Sequence, residues 1–186
     1  MGADIHIFLE KFSDEDYIGP KPIVENRENI ITKLLDDEEI IFEKRWITAD
    51  KWEWEWDSDY SDKGAWCVPY QNSIYSSRNY IVFEILADVR SGSYDICISP
   101  PRGLPDDISY PYKTMLDYWG TSAHSHSYFT LKELQDVDFD DMLENLLTDD
   151  IYYIKIAVGQ IREIMEKMSK IDSNPEHVRI CFFFDN

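Results

Sequence analysis

The sequence predicts an α+β protein: one domain over residues 1–186, with a mixed or antiparallel sheet whose N- and C-terminal strands are central and whose helices pack against it. Three observations carry this. The chain opens on an alternating segment, Asp4–Phe12. It closes on the apolar run Val178-Arg-Ile-Cys-Phe-Phe-Phe-Asp-Asn186, and its longest helical periodicity falls just before that run, at Ile151–Ile171. Three consecutive phenylalanines, Phe182, Phe183 and Phe184, need apolar cover on both faces of a sheet, which an interior strand provides. Hydrophobic residues make up 44% of the 186, enough for a real core and too many for a disordered chain.

The elements follow in order. In Asp4–Phe12, Ile5, Ile7 and Leu9 share one face and Asp4, His6, Phe8 and Glu10 the other, so an Asp4–His6 carboxylate–imidazole pair is open to this strand. Ser13–Pro22 reads as a turn or loop, broken by Gly19, Pro20 and Pro22. Asn26–Leu35 sets Ile30, Ile31, Leu34 and Leu35 on one side of a short helix, ended by the acidic run Asp36–Glu39; Ile40–Ile47 is compatible with a strand. Lys51–Asp57 alternates indole with charge, placing Trp52, Trp54 and Trp56 on one strand face. Such a row covers a core or interface more often than it stacks bases, and its acidic flanks oppose nucleic acid. Asp57, Asp59 and Asp62 fail as an EF-hand, because the glycine is Gly64 and no glutamate closes the loop.

Ser76–Arg90 reads as a buried helix capped by Ser76 or Ser77, with Arg78 at its start and Asp88 and Arg90 at its end, stopped by Ser91-Gly92-Ser93. Tyr94–Ser99 fits a short strand. The loop Pro100–Ser109 is stiffened by three prolines and presents Arg102 beside Gly103. That arginine suits a phosphate or carboxylate ligand, or an internal pair with Asp106 or Asp107. Pro111 begins a helix to Trp119, with Gly120 just past its end.

The stretch Gly120–Leu134 holds two of the four histidines, His124 and His126, among hydroxyl residues. An extended run would point both to the same face. Thr130 and Glu133 form a capping-box pattern, with Phe129 and Leu134 as the hydrophobic staple, so a helix starts immediately afterwards. Phe139, Met142, Leu143, Leu146 and Leu147 give a helix over Asp138–Leu147. Ile151–Ile171 is a core-facing helix rather than a coiled coil.

Charge and composition narrow the function. Lysines and arginines number 18 against 37 aspartates and glutamates, a net charge of −19. This opposes nonspecific binding to nucleic acid or anionic membrane, so no direct nucleic-acid partner is expected. Cys67, Cys97 and Cys181 are widely spaced with no CxxC, which fits a reduced, cytoplasmic protein. The N-terminus lacks signal-peptide features, and no run is long enough to span a membrane. Dinucleotide, Walker, HExxH, GxSxG and zinc-ribbon motifs are all missing, and the identity of any cofactor stays open. His124-Ser-His126 lacks the Asp-His that would complete a metallo-β-lactamase motif, and neither histidine has the threonine of an HxT phosphoesterase pair.

The set Met1-Gly-Ala-Asp-Ile-His6, Arg78-Asn-Tyr80, Leu86-Ala-Asp-Val-Arg90, Pro101-Arg-Gly-Leu-Pro105, Trp119-Gly120, Ala123-His-Ser-His-Ser127 and Phe184-Asp-Asn186 resembles an uncharacterised family of small bacteriophage and prophage proteins, over nearly the whole chain. The resemblance implies no particular fold, catalysis or ligand. It implies a phage origin and work in the cytoplasm of an infected bacterium, where proteins of this size often act in host takeover or against host defence.

Taken together, the residues point to a pocket for a phosphorylated small molecule, most simply a nucleotide, that is either sequestered or hydrolysed. His124, His126, His6 and Asp4 are its catalytic candidates, acting as general acid and base or, with Asp4, holding a divalent metal. Arg102, Arg78 and Arg90 are its ligand-binding candidates. The alternative is an acidic interaction protein or nucleic-acid mimic that inhibits a basic host protein.

Overall fold

The computed structural model describes residues 4–13, 17–23, 33–42, 45–56, 64–90 and 94–185. Its centre is a four-stranded antiparallel sheet built from β1 (Asp4–Ser13), β4 (Arg45–Thr48), β7 (His124–Thr130) and β8 (Val178–Asp185), in the order β4-β1-β8-β7. The two terminal strands are therefore neighbours and both interior, as the sequence predicts. Their register pairs Asp4 with Asp185, His6 with Phe183 and Glu10 with Arg179.

Alternation along these strands makes two unlike faces. Ile7, Leu9, Ile180, Phe182 and Phe184 face helices α1 (Tyr80–Ala87), α3 (Leu131–Gln135) and α5 (Ile151–Ser169) in the larger core. Phe8, Cys181 and Phe183 face α2 (Tyr110–Trp119), which brings Tyr112 and Met115, with Trp52 packed alongside. Phe182, Phe183 and Phe184 are all fully buried, because each finds a helical layer on its own side of the sheet.

Across this second face runs a buried ion pair absent from the sequence reading. Arg179 donates to Glu10 from Nε at 2.8 Å and to Asp107 from Nη1 at 2.8 Å, and its guanidinium lies 4.1 Å over the Trp46 ring. Glu10 also accepts the Ser109 N–H at 2.7 Å. Burial opposes the charge on Arg179, but the neighbouring Cys181, Glu10 and Asp107 more than offset it and hold its pKa above the ordinary value. The network ties the proline-rich loop, through Asp107 and Ser109, onto the sheet.

Several sequence expectations need correction. Part of the expected Ser13–Pro22 loop lies in strand β2 (Tyr17–Ile23), paired with β3 (Lys33–Phe42), with a register shift between Pro20 and Pro22. Both strands are edges of a two-stranded sheet, where proline's missing N–H is tolerated. The acidic run Asp36–Glu39 is inside β3, so it does not end a helix; most of the expected helix Asn26–Leu35 lies outside the described residues, as do Asp57, Asp59 and Asp62. The tryptophan-rich stretch forms β5 (Glu53–Trp56), paired with β6 (Gly64–Cys67). Trp52 stacks on Phe8 at 5.0 Å, the covering role expected of it.

Helix α1 starts later than expected: Asn79, not Ser76 or Ser77, accepts the Ile81 N–H at 3.0 Å. Tyr94–Ser99 is not a strand. Its donors go to α1, Tyr94 N–H to the buried Glu84 carboxylate at 2.9 Å and Ile98 N–H to the Ile85 carbonyl at 2.7 Å. Helix α4 (Phe139–Glu144) ends before Leu146, so Leu147 does not join the core-facing stripe. The Thr130–Glu133 capping box is present in full, with Glu133 N–H donating to Thr130 Oγ1 at 3.1 Å and Thr130 N–H to Glu133 Oε2 at 2.8 Å.

Candidate functional site

The first residues of β1, the last of β8 and the first of β7 lie at one end of the sheet, because β1 and β7 each run antiparallel to β8. The residue before the α1 cap, Arg78, and the last residue of α2, Trp119, join them there. Phe183 is the hub. The His6 ring stacks on it at 4.7 Å, Trp119 lies 5.9 Å away and His126 5.8 Å away. His6 is also 4.8 Å from Trp119, so the imidazole is held between two aromatic rings.

Two carboxylates organise the polar edge. Asp185 meets His6 Nε2 at 3.2 Å through Oδ2 and accepts the Asp4 N–H at 2.9 Å through Oδ1. A neutral His6 donating from Nε2 to Asp185 keeps its lone pair on Nδ1, the nitrogen then able to take a proton. Asp4 does not pair with His6, although the two share a strand face. It is gripped by the Arg78 guanidinium through Nε and Nη2, and this hydrogen bonding holds its carboxyl below the ordinary aspartate pKa. Arg78 also feels the charge of Asp185, so the Asp4–Arg78 and His6–Asp185 pairs form one group. Side-chain exposure is 27% for His6 and 54% for Arg78, which leaves both within reach of a solute.

The two central histidines do not point the same way. The register of β7 on β8 shifts between His124 and Ser127, and Ser125 takes a left-handed φ of 52°. This bulge inserts one residue into the alternation. His124 consequently lies over Phe184, on the large-core face, with Nδ1 3.0 Å from Ser125 Oγ and Nε2 buried. His126 lies over Phe183, on the face of His6. Burial lowers the His126 pKa, against a smaller opposing pull from the Ala123 backbone, so this ring favours the neutral form. The two histidines therefore lie on opposite faces of the sheet. Among the described residues no group of three or more His, Cys, Asp or Glu is arranged to hold a metal ion.

Of the three arginine candidates, only Arg78 belongs to this cluster. Arg102 bonds Glu133, 2.6 Å from Nη1 to Oε1, and the Tyr128 carbonyl, with its guanidinium 4.2 Å over the Tyr128 ring. Its partner is therefore Glu133 rather than Asp106 or Asp107. Burial raises the Glu133 pKa, but the bonds from Arg102 and Thr130 outweigh it and leave the carboxyl below its ordinary value. Arg102 thus anchors the proline-rich loop to the capping box, assisted by a 2.9 Å bond from Gly103 N–H to the His126 carbonyl. Arg90 follows the far end of α1, about 12 Å of helix from Arg78.

Asp185 and Trp119 join the site although neither is among the predicted catalytic or binding residues. The terminal Phe-Asp-Asn and the Trp-Gly signals marked both, yet only the strand register shows what they touch. The fold and cluster define an α+β protein with a partly exposed carboxylate–imidazole pair at the end of an antiparallel sheet. No known family, curated protein or solved structure matches the chain. No helix among the described residues is long and apolar enough to cross a membrane.

Proposed function

We propose that the sheet-end cluster binds a phosphorylated small molecule of the nucleotide class. The observation that carries this is the meeting of Asp4, His6, Arg78, Trp119, His126 and Asp185 around Phe183, from parts of the chain up to 181 residues apart. Trp119, partly exposed, supplies ring surface against which a base stacks. Asp4 occupies Arg78 Nε and Nη2, which orients the guanidinium and leaves Nη1 to meet a phosphate oxygen. His6, oriented by Asp185, is the group that exchanges a proton with a bound ligand or an attacking water.

The resemblance to phage proteins supports a role in the cytoplasm of an infected bacterium, with the nucleotide, one used in host defence, either sequestered or hydrolysed. The experiment is calorimetric titration of the full chain with nucleoside mono-, di- and triphosphates, with product analysis after incubation. Arg78→Gln is expected to weaken binding at least about tenfold, the loss of one charge-assisted phosphate contact. If wild type forms product and His6→Gln does not, the role is hydrolysis; binding with no product makes it sequestration. Failure of all three ligand classes to bind, or unchanged binding by Arg78→Gln, would overturn the reading.

A further inference from the structure

A second surface lies at the start of α5, at the opposite end of α1 from the nucleotide cluster. Asn79 beside the α1 start bonds Gln160, whereas Tyr94, beyond the α1 end, bonds Asp150 at 2.8 Å. Four large apolar or aromatic side chains stand out here: Leu147 is 99% exposed, Tyr152 67%, Tyr153 58% and Ile156 43%. Tyr152 and Ile156 are four residues apart on α5, and Tyr153 and Ile156 three, so they share one side of the helix. The tyrosines contact edge-on with ring centres 5.5 Å apart. Beyond Ile156 on this side, Gly159 has open space where a side chain would be, so the strip continues without obstruction.

The rim of this strip is acidic. From Asp136 to Ile161 the chain carries seven acidic residues and one basic residue, Lys155. Asp149 stands exposed between Leu147 and Tyr152, and Asp140, Asp141 and Glu144 are exposed on α4. Arg162 of α5 reaches Asp140 at 2.9 Å, which holds α4 against α5.

We infer that Leu147, Tyr152, Tyr153 and Ile156, rimmed by these carboxylates, are a docking surface for a basic amphipathic segment of a partner protein. The charge selects the occupant. A second copy would bring another −19 chain with its acidic rim against this one, and an anionic membrane would be repelled in the same way. A segment with leucine-type residues on one side and lysine or arginine on the other meets both features: the apolar strip takes its apolar side and the rim its charges. Exposed tyrosines suit such a contact, since they bury large area with few rotatable bonds. This surface is separate from the nucleotide cluster, so neither proposal needs the other.

The test uses the full chain and two synthetic 18-residue peptides of equal positive charge. One carries leucine along a helical stripe with lysine elsewhere; the other has serine in place of every leucine. The leucine peptide is expected to bind, and the double variant Tyr152→Ser/Ile156→Ser to weaken it at least about tenfold with no change in melting temperature. Both substitutions leave the net charge untouched, so the loss would isolate the apolar strip from general attraction to an acidic protein. Binding should also weaken as salt rises from 0.05 to 0.5 M, over which charge screening shortens by about threefold in range. Equal binding of the serine peptide, or of the leucine peptide by the double variant, would overturn the proposal. So would self-association of the wild type that the same variant abolishes, since the strip would then be an interface between copies.

Discussion

Replacing Asp50 with asparagine should stabilise this protein, and by an amount that grows with pH. Strand β4 ends at Thr48, yet its ladder with β1 continues: Ala49 N–H donates to the Leu9 carbonyl at 2.8 Å, and the Asp50 carboxylate accepts the Leu9 N–H in return. The side chain thus stands in for a strand carbonyl. Burial raises its pKa from 3.8 to about 7, with a smaller push from Glu10, and the bond from Leu9 only partly opposes this. A carboxyl whose folded pKa exceeds its unfolded one favours folding when protonated. Its penalty is absent below about pH 4, grows as the unfolded carboxyl ionises, and is complete above about pH 7. At 1.36 kcal/mol per pKa unit the full penalty is about 4 kcal/mol. Asparagine keeps the acceptor for Leu9 and has no charge to bury. Urea denaturation of wild type and Asp50→Asn at pH 4.5, 6, 7 and 8 measures the effect. The variant's advantage at pH 8 should exceed that at pH 4.5 by about 3 to 4 kcal/mol. The comparison removes the opposing contribution of His126, whose lowered pKa costs stability as pH falls below about 6.5, because both proteins carry it. A difference that does not change with pH, or a variant less stable throughout, would refute the reasoning.

Arg179→Met should cost about 3 to 5 kcal/mol, since it leaves Glu10 charged and fully buried; adding Glu10→Gln should recover at least half, because glutamine still accepts the Ser109 N–H, and a single variant within about 1 kcal/mol of wild type by urea denaturation would show that the pair is not a strut. Ser125→Val should cost about 1 to 2 kcal/mol, as a β-branched residue is strained at φ 52°, whereas Ser125→Gly should stay within about 0.5 kcal/mol of wild type because glycine accepts that backbone; equal melting temperatures for the two would argue against a left-handed bulge. Thr130→Ala should cost about 1 kcal/mol through loss of the bond to the Glu133 N–H, and an unchanged denaturation midpoint would mean that the cap contributes nothing.

Where a signal is local, the sequence alone was sufficient. The alternation of Asp4–Phe12, the three phenylalanines of the last strand, the Thr130–Glu133 capping box and the periodicity of α5 each concern residues within a turn or a strand of one another. Their physics, side-chain period and hydrogen-bond reach, is written in spacing. The central position of both terminal strands was legible for the same reason, because a run apolar on both sides has no other stable place. Tertiary structure decided what spacing cannot carry. Asp4 and His6 are neighbours by alternation, but Arg78 and Asp185, 74 and 179 residues away, took one each. Tyr94–Ser99 has strand-like composition, but a buried glutamate on α1 captured its first N–H. Most decisive is Ser125. One residue in a left-handed conformation adds an extra position to β7 and sends His124 and His126 to opposite faces of the sheet. Serine carries no glycine-like mark of that conformation, so the bulge arises from how β7 must lie on β8, and only the folded sheet reveals which histidine joins the site.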